Sequence, residues 1–461
     1  MVDIGDLLAR MTMAEKAGQL TQVEKNSITP DEVAEFAVGS VLSGCGGNPD
    51  PNNAANWRAM VESFLDGARR SRLGVPLLYG TDSVHGHANV YGATIFPHNV
   101  GLGAVGDADL VERVCRATAL ETAATGARWA FAPTVAVALD PRWGRTYEAF
   151  GSDTDLVGGL GAAAVRGLQG SDPTAGDRVA ACLKHYVGDG GTTWGSLDKL
   201  DWIDWWDGWG PRWKIDQGDT RVDEATLRRV HLRPYRDGLA AGSLTVMASY
   251  NSWNGVKLHA NHYLLTELLK GELGFDGFVI SDWLAIDQLS ADPYRCVIQS
   301  INAGVDMVMV PFDFRRFIDN VIRAVESGDI PMARLDDAVR RILGVKAALG
   351  LFDPTPPDLP PVEVVGCAEH RALAREAVAA SVVRLKDPDR VLPLDSRAAG
   401  KVLVAGAGAD DIGLQCGGWT IQWQGGTGPI TIGSTVLDGL RSAGLEIAYR
   451  PDGDFPDDSR A

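Results

Sequence analysis

Up to about residue 350 the chain alternates short, almost wholly apolar runs with longer stretches of amphipathic helical periodicity. The runs include Gly39-Ser-Val-Leu-Ser43, Pro76-Leu-Leu-Tyr-Gly80, Ala130-Phe-Ala132, Thr245-Val-Met-Ala-Ser249, Phe278-Val-Ile-Ser281 and Asp306-Met-Val-Met-Val310. Helical spacing covers Ala108–Gly126, Asp155–Leu168, Thr226–Leu239, His262–Glu272 and Pro331–Leu349, and Thr12-Met-Ala-Glu15 reads as a capping box opening an earlier helix. A strand that is apolar on both sides needs cover on both faces, which a parallel sheet wrapped in helices supplies. Repeated along the chain, the pattern predicts an α/β fold with a TIM-like (β/α)8 barrel over residues 1–350.

The stretch Asp353-Pro-Thr-Pro-Pro-Asp-Leu-Pro-Pro361 is too rich in proline for helix or central strand, so 351–366 reads as a stiff linker. Beyond it, 367–461 offers a helix at Glu369–Arg384, a buried strand at Lys401-Val-Leu-Val-Ala-Gly406, a helix at Ser434–Ala443 and a strand at Leu445–Tyr449. That is one βαβ unit, the first part of an α/β sandwich. Two strands make a poor sheet with two open edges, so the domain reads as partial and a homo-oligomer that pairs those edges is an expectation.

Charge limits the partners. Forty-three Lys and Arg against 60 Asp and Glu leave a net charge of −17, which repels nucleic acid and anionic membrane surfaces and favours neutral or cationic small molecules. Six scattered cysteines without a C-x-x-C pair suggest neither a disulfide framework nor structural zinc. Met1–Leu8 carries Asp3 and Asp6 where a secretory signal needs basic residues, and no run of 18 apolar residues occurs. The expectation is a cytoplasmic protein with no membrane span.

In a barrel the chemistry sits just past the strand ends. Asp282 directly follows an apolar run and precedes Trp283; an acid there is costly to bury unless paired or functional, the alternative being an ordinary helix N-cap. Asp140-Pro-Arg-Trp-Gly-Arg145-Thr-Tyr-Glu148 gathers two arginines, two acids and two aromatics. Such a loop suits hydroxyl recognition, though a structural salt-bridge knot has the same composition.

Six strings carry a resemblance: Gly80-Thr-Asp82-Ser-Val-His-Gly-His87, Gly92-Ala-Thr-Ile-Phe-Pro97, Asp140-Pro-Arg-Trp-Gly-Arg145, Lys184-His-Tyr-Val-Gly-Asp189-Gly, Val246-Met-Ala-Ser-Tyr250 and Gly277-Phe-Val-Ile-Ser-Asp282-Trp283. In this order they resemble glycoside hydrolase family 3, and within it the β-glucosidase and exo-β-glucanase branch. The resemblance implies a barrel followed by an α/β sandwich, and a retaining enzyme, without cofactor or metal, that releases glucose from the non-reducing ends of β-glucans or β-glucosides. Retention needs two carboxyl groups about 5–5.5 Å apart, one nucleophilic and one protonating the leaving oxygen. By the resemblance Asp282 is the nucleophile. Asp82, Arg145, Lys184, His185, Asp216 and Tyr250 hold the sugar hydroxyls, and Trp283, Trp419 and Trp423 clamp the next unit. Lys184 and His185, as neighbouring donors, are expected to keep Asp82 and Asp282 ionised. The Lys-His loop here reads Val187-Gly-Asp189-Gly, without the acid/base histidine of the hexosaminidase branch.

The sequence departs from the family pattern in three places. The branch's acid/base glutamate lies downstream of the tryptophan clamp, where this sequence has Glu446 alone, inside an expected strand. The segment 194–213 holds six tryptophans and reads as an insertion at the mouth of the site: a sugar-stacking lid, a loop burying its own aromatics, or an oligomer contact. Gln288 stands where plant-type enzymes often carry an arginine. Three other readings remain: a catalytically impaired β-glucan-binding protein, a metal-dependent amidohydrolase built on His85 and His87 with Lys184, His185 and Asp282, and a dinucleotide loop at Val402-Leu-Val-Ala-Gly406-Ala-Gly408-Ala-Asp-Asp411, whose Asp411 would repel pyrophosphate.

Overall fold

The computed structural model describes residues 2–44, 46–197, 200–203, 214–355, 357–395, 397 and 400–455. Eight barrel strands are found among them: β1 (Thr21–Glu24), β2 (Ser40–Ser43), β3 (Leu78–Thr81), β4 (Trp129–Ala130), β5 (Cys182–Tyr186), β6 (Thr245–Ala248), β7 (Phe278–Ile280) and β8 (Val308–Met309). They form a five-stranded sheet in the order β8-β1-β2-β3-β4 and a three-stranded sheet in the order β7-β6-β5, with every neighbouring pair parallel. Single bridges, Trp129 to Ala180 and Ile280 to Met307, link the two arcs at both seams. The strands therefore follow one another in ring order, with full ladders inside each arc and single bridges between arcs. Val23, Val41, Leu78, Trp129, Leu183, Val246, Phe278 and Val308 are fully buried, as strands covered on both faces require.

One strand escapes a search for apolar runs, and another ends in polar residues that face a cavity. In β1, the polar Thr21 and Gln22 are buried because they bond within the barrel: Thr21 Oγ1 donates to Ala17 O at 2.9 Å and Gln22 Nε2 to Ser40 Oγ at 2.8 Å. In β5, the run continues through Lys184 and His185, which line a cavity instead of packing as core. The capping box forms as expected, with Thr12 and Glu15 bonding reciprocally at the start of helix Met13–Gln19.

A buried charge cluster ties β7 and β8 to the outer helices. Asp306, fully buried, accepts from Lys270 Nζ at 2.7 Å, from Val279 N at 2.8 Å and from Arg334 of helix Met332–Ala348. The two cations and the backbone donor hold its pKa below the ordinary carboxylate value despite burial.

The Pro-rich stretch carries no helix or strand among its described residues. Beyond it, helix Ala368–Ser381 is fastened to the barrel by buried Glu121, which accepts from His370 Nδ1 at 2.8 Å and Gly366 N at 3.1 Å. Strands β9 (Lys401–Ala405) and β10 (Glu446–Arg450) pair in parallel, joined by helix Val436–Ser442. The buried strand expected at 401–406 is not buried: its residues alternate between exposed and half-buried, with Leu403 among the exposed. Two described strands cannot cover each other's faces. Asp411 caps the helix Ile412–Cys416 by accepting from Leu414 N, a local role that accounts for its place in the glycine-containing turn. The five described cysteines are free, and no helix among the described residues is long and apolar enough to cross a membrane.

Replacing Asp306 by Ala leaves Lys270 and Arg334 without their buried counter-charge. Removing one partner of such a cluster costs about 3–5 kcal/mol, which urea unfolding will read as a lowered midpoint at unchanged slope.

Candidate active site

The C-terminal ends of the strands surround a cavity of about 710 Å³, within the usual range for small-molecule sites. All ten residues singled out from the sequence line it: Asp82, Arg145, Lys184, His185, Asp216, Tyr250, Asp282, Trp283, Trp419 and Trp423. Asp82 follows β3, Lys184 and His185 lie within β5, Tyr250 follows β6 and Asp282 follows β7. Arg145 comes from the loop after β4 and Asp216 from the segment after the tryptophan-rich stretch. Trp419 and Trp423 are brought in from the part of the chain beyond the Pro-rich stretch.

That last approach is built from backbone contacts. Ile421 N donates to Ala88 O at 2.9 Å, and Thr420 Oγ1 lies 3.2 Å from His85 Nε2. His98 stacks on His85 at 3.9 Å between centroids and donates through Nε2 to Cys416 O at 3.3 Å. Trp419 N donates to Trp423 O at 2.8 Å, and Trp419 and Ile421 both adopt left-handed backbone with φ of 62°. The turn thereby delivers both indoles to the cavity, with the Trp419 ring 5.2 Å from Lys184 Nζ.

Arg145 organises the polar floor. Its guanidinium donates to Glu148 through Nε at 2.8 Å and Nη2 at 2.9 Å, a bidentate pair. Nη2 also donates to His185 Nε2 at 3.0 Å, while His185 Nδ1 donates to Asp189 Oδ2 at 2.9 Å. With one ring nitrogen accepting and the other donating, His185 is neutral. Burial, reinforced by Arg145 and Lys184, pushes its pKa well below the ordinary value. The expectation that His185 helps hold Asp282 ionised is thus corrected: His185 Nε2 lies 3.7 Å from Asp282 Oδ2 but carries no charge, and Arg145 is the principal counter-charge.

Lys184 Nζ lies 4.0 Å from Asp82 Oδ1. Its ammonium lowers the Asp82 pKa, but burial outweighs it and the group is pushed up to about 6. Burial also raises Asp282, opposed by Arg145 and by the Trp283 N–H, which donates to Asp282 Oδ1 at 2.7 Å. Its backbone is held by Asp282 N donating to His259 Nε2 at 3.2 Å, and Tyr250 OH donates to Trp283 O. These bonds give Asp282 a fixed orientation, and it is not the N-cap of a regular helix. Asp216, also raised by burial, accepts from Trp143 Nε1 at 2.8 Å.

Several contributors were not singled out beforehand. Glu148 is buried and held ionised by Arg145, against a burial penalty that by itself would raise its pKa; its place three residues after Arg145 was the available signal. Phe312, past the end of β8, is 55% exposed and meets Trp283 edge-on at 5.6 Å; the strand-end rule that found Asp282 applies to it equally. Gln217, with φ of 59°, lines the cavity beside Asp216 and has no sequence signal of its own. Of the tryptophan-rich segment, Trp194 stacks on the Arg142 guanidinium at 4.2 Å, while positions 198–199 and 204–213 lie outside the described residues. Glu446 sits in β10, exposed and 4.0 Å from Lys401, and is not on the cavity wall.

The amidohydrolase reading loses its histidines. His85 bonds Phe96 O and Thr420, and His87 bonds Ser83 and Thr125, so all four ring nitrogens are engaged by the protein. The described residues contain no group of three His, Cys, Asp or Glu side chains able to hold a metal.

Asp82 is expected to titrate near pH 6, and higher once Lys184→Met removes the ammonium. Carboxyl-carbon NMR of labelled aspartate measures both; titration near pH 4, the unperturbed value, contradicts the burial argument.

Comparison with known proteins follows the same lines. The family model "Glycosyl hydrolase family 3 N terminal domain" matches residues 12–204 and 213–345. A lysosomal beta glucosidase from Dictyostelium discoideum is 33% identical over 475 residues, covering 95% of this chain and 55% of its own length. The crystal structure of an exo-1,3/1,4-beta-glucanase from a Pseudoalteromonas species superposes with a TM-score of 0.88 at 41% identity, covering 98% of this chain and 57% of that one. A mutant beta-glucosidase from Listeria innocua in complex with laminaribiose superposes with a TM-score of 0.81 at 27% identity, over 99% of this chain and 61% of that one. The chain spans about half the length of the curated relatives it matches. With the family model covering most of the chain and the fold shared throughout, the chain belongs to glycosyl hydrolase family 3.

Proposed function

We propose that this chain forms the glycon-binding and nucleophile-bearing part of a retaining β-glucosidase or exo-β-glucanase that releases glucose from non-reducing ends. The observation that carries the reading is the charge balance of the cavity: four carboxyl groups, Asp82, Glu148, Asp216 and Asp282, face two cations, Arg145 and Lys184, between aromatic walls. A net negative, desolvated site stabilises the positive charge that develops at the anomeric carbon in an oxocarbenium-like transition state. The neutral His185, the Lys184 ammonium and the Tyr250 hydroxyl supply directional partners for sugar hydroxyls, and the indoles of Trp283, Trp419 and Trp423 suit the apolar faces of a pyranose. Relatives described as β-glucosidases and an exo-1,3/1,4-β-glucanase support the same substrate class.

In this reading Asp282 attacks the anomeric carbon as the glycosidic bond to the leaving oxygen breaks, giving a glucosyl–Asp282 ester that water then hydrolyses. Its orientation by the Trp283 N–H leaves Oδ2, the oxygen on the His185 side, for attack. Asp82 must be ionised to accept hydroxyl protons, so kcat/KM is expected to fall as the pH drops below about 6.

An aryl β-glucoside with a good leaving group reads Asp282 alone, whereas laminaribiose also requires a proton donor. Asp282→Gly is expected to lower aryl glucoside turnover by roughly a thousandfold or more, and azide to restore it as the inverted α-glucosyl azide. Asp282→Asn with undiminished turnover would overturn the assignment. Laminaribiose that raises the melting temperature while no substrate turns over would support a binding protein instead.

A further inference from the structure

We propose that Trp202 is the platform of an outer sugar subsite, beyond the tryptophan clamp, that receives the third and later glucosyl units of a β-glucan chain. The inference rests on the functional reading above and names how long a substrate that site accepts. Trp202 is 44% exposed, an unusual state for so large an apolar ring, and yet it is anchored. Its Nε1 donates to Asp287 O at 3.0 Å. The turn that carries it is pinned by the buried Ile203, whose N–H donates to Leu200 O at 3.2 Å. An indole fixed by its edge, with its surface left in solvent, is preorganised for stacking.

Its location connects it to the site. Asp287 lies one turn after Leu284, with Asp287 N donating to Leu284 O at 3.1 Å, and Leu284 lines the cavity directly after Asp282 and Trp283. The same short helix ends in Gln288, whose Nε2 donates to Gln217 Oε1 at 2.8 Å while its own Oε1 accepts from Lys257 Nζ at 2.9 Å. This relay commits the Gln217 oxygen and leaves its amide N–H as what Gln217 offers to a ligand oxygen on the cavity wall. An apolar face beside neutral amides fits an uncharged polyhydroxylated chain, and the −17 net charge disfavours an anionic polysaccharide. Trp202 lies near the end of the first matched family segment, residues 12–204.

The test measures calorimetric binding of glucose, laminaribiose and laminaritetraose, in an Asp282→Asn background that prevents turnover. Trp202→Ala is expected to weaken laminaritetraose about 3- to 10-fold and to leave glucose unchanged, with Trp202→Phe retaining most of the tetraose affinity. Equal weakening of glucose and tetraose, or unaltered tetraose affinity, overturns the subsite. Melting temperatures of the variants separate loss of a contact from loss of the fold. Failure of the unsubstituted Trp202 protein to bind any of the three sugars removes the functional reading itself, and the subsite with it, whereas sugar binding that ignores Trp202 removes the subsite alone.

Discussion

Four carboxyl groups gathered in a desolvated cavity repel one another and each loses hydration, and the guanidinium of Arg145 is what makes the arrangement tenable. It spends one bidentate face on Glu148, shares Nη2 of that face with His185, and serves Asp282 and Asp216 through space. Leaving such charges unpaired costs several kcal/mol per ion, so the loop bearing Arg145 and the strand ends bearing the acids are mutually dependent. The compensation is incomplete: burial, with two cations against four acids, leaves Asp82 near 6 and Asp282 above the ordinary carboxylate value. A site in that state is negative yet still ionised at neutral pH, the condition that glycosyl transfer to a carboxylate needs.

The two parts of the chain meet at this cavity. The barrel supplies the charges from strand ends, and the segment after the linker supplies aromatic cover by crossing back over His85, His98 and Ala88. His85 links the two: it is buried, neutral and bonded on one side to barrel backbone and on the other to Thr420. The histidine pair that reads as a metal motif in the sequence is thus a structural joint, with His87 engaged just as fully behind it.

Much of the site was legible because its chemistry is local. Asp282 stands out as an acid at the end of an apolar run, and Arg145 and Glu148 share one short loop. Strands β6 to β8 were legible for the same reason, since their apolar runs mark them as covered on both faces. β1 was not, because Gln22 and Thr21 are made compatible with burial by partners 18 and 4 residues away, which periodicity does not register. The protonation state of His185 was likewise out of reach: it depends on Arg145 and Asp189 meeting the two ring nitrogens at once.

What the sequence determined by itself is the set of chemical groups, the barrel architecture and the order of the motifs along the chain, because apolar patterning and strand-end position are properties of neighbouring residues. What the tertiary structure decided is which groups act on one another. It made Arg145 rather than His185 the counter-charge of Asp282, left strand β9 half exposed, and bonded the Trp202 indole to Asp287 of the short helix that follows Leu284 on the cavity wall. Burial and Coulomb interaction depend on distances between residues far apart in the chain, and those distances exist only once the ring of strands has brought their ends together.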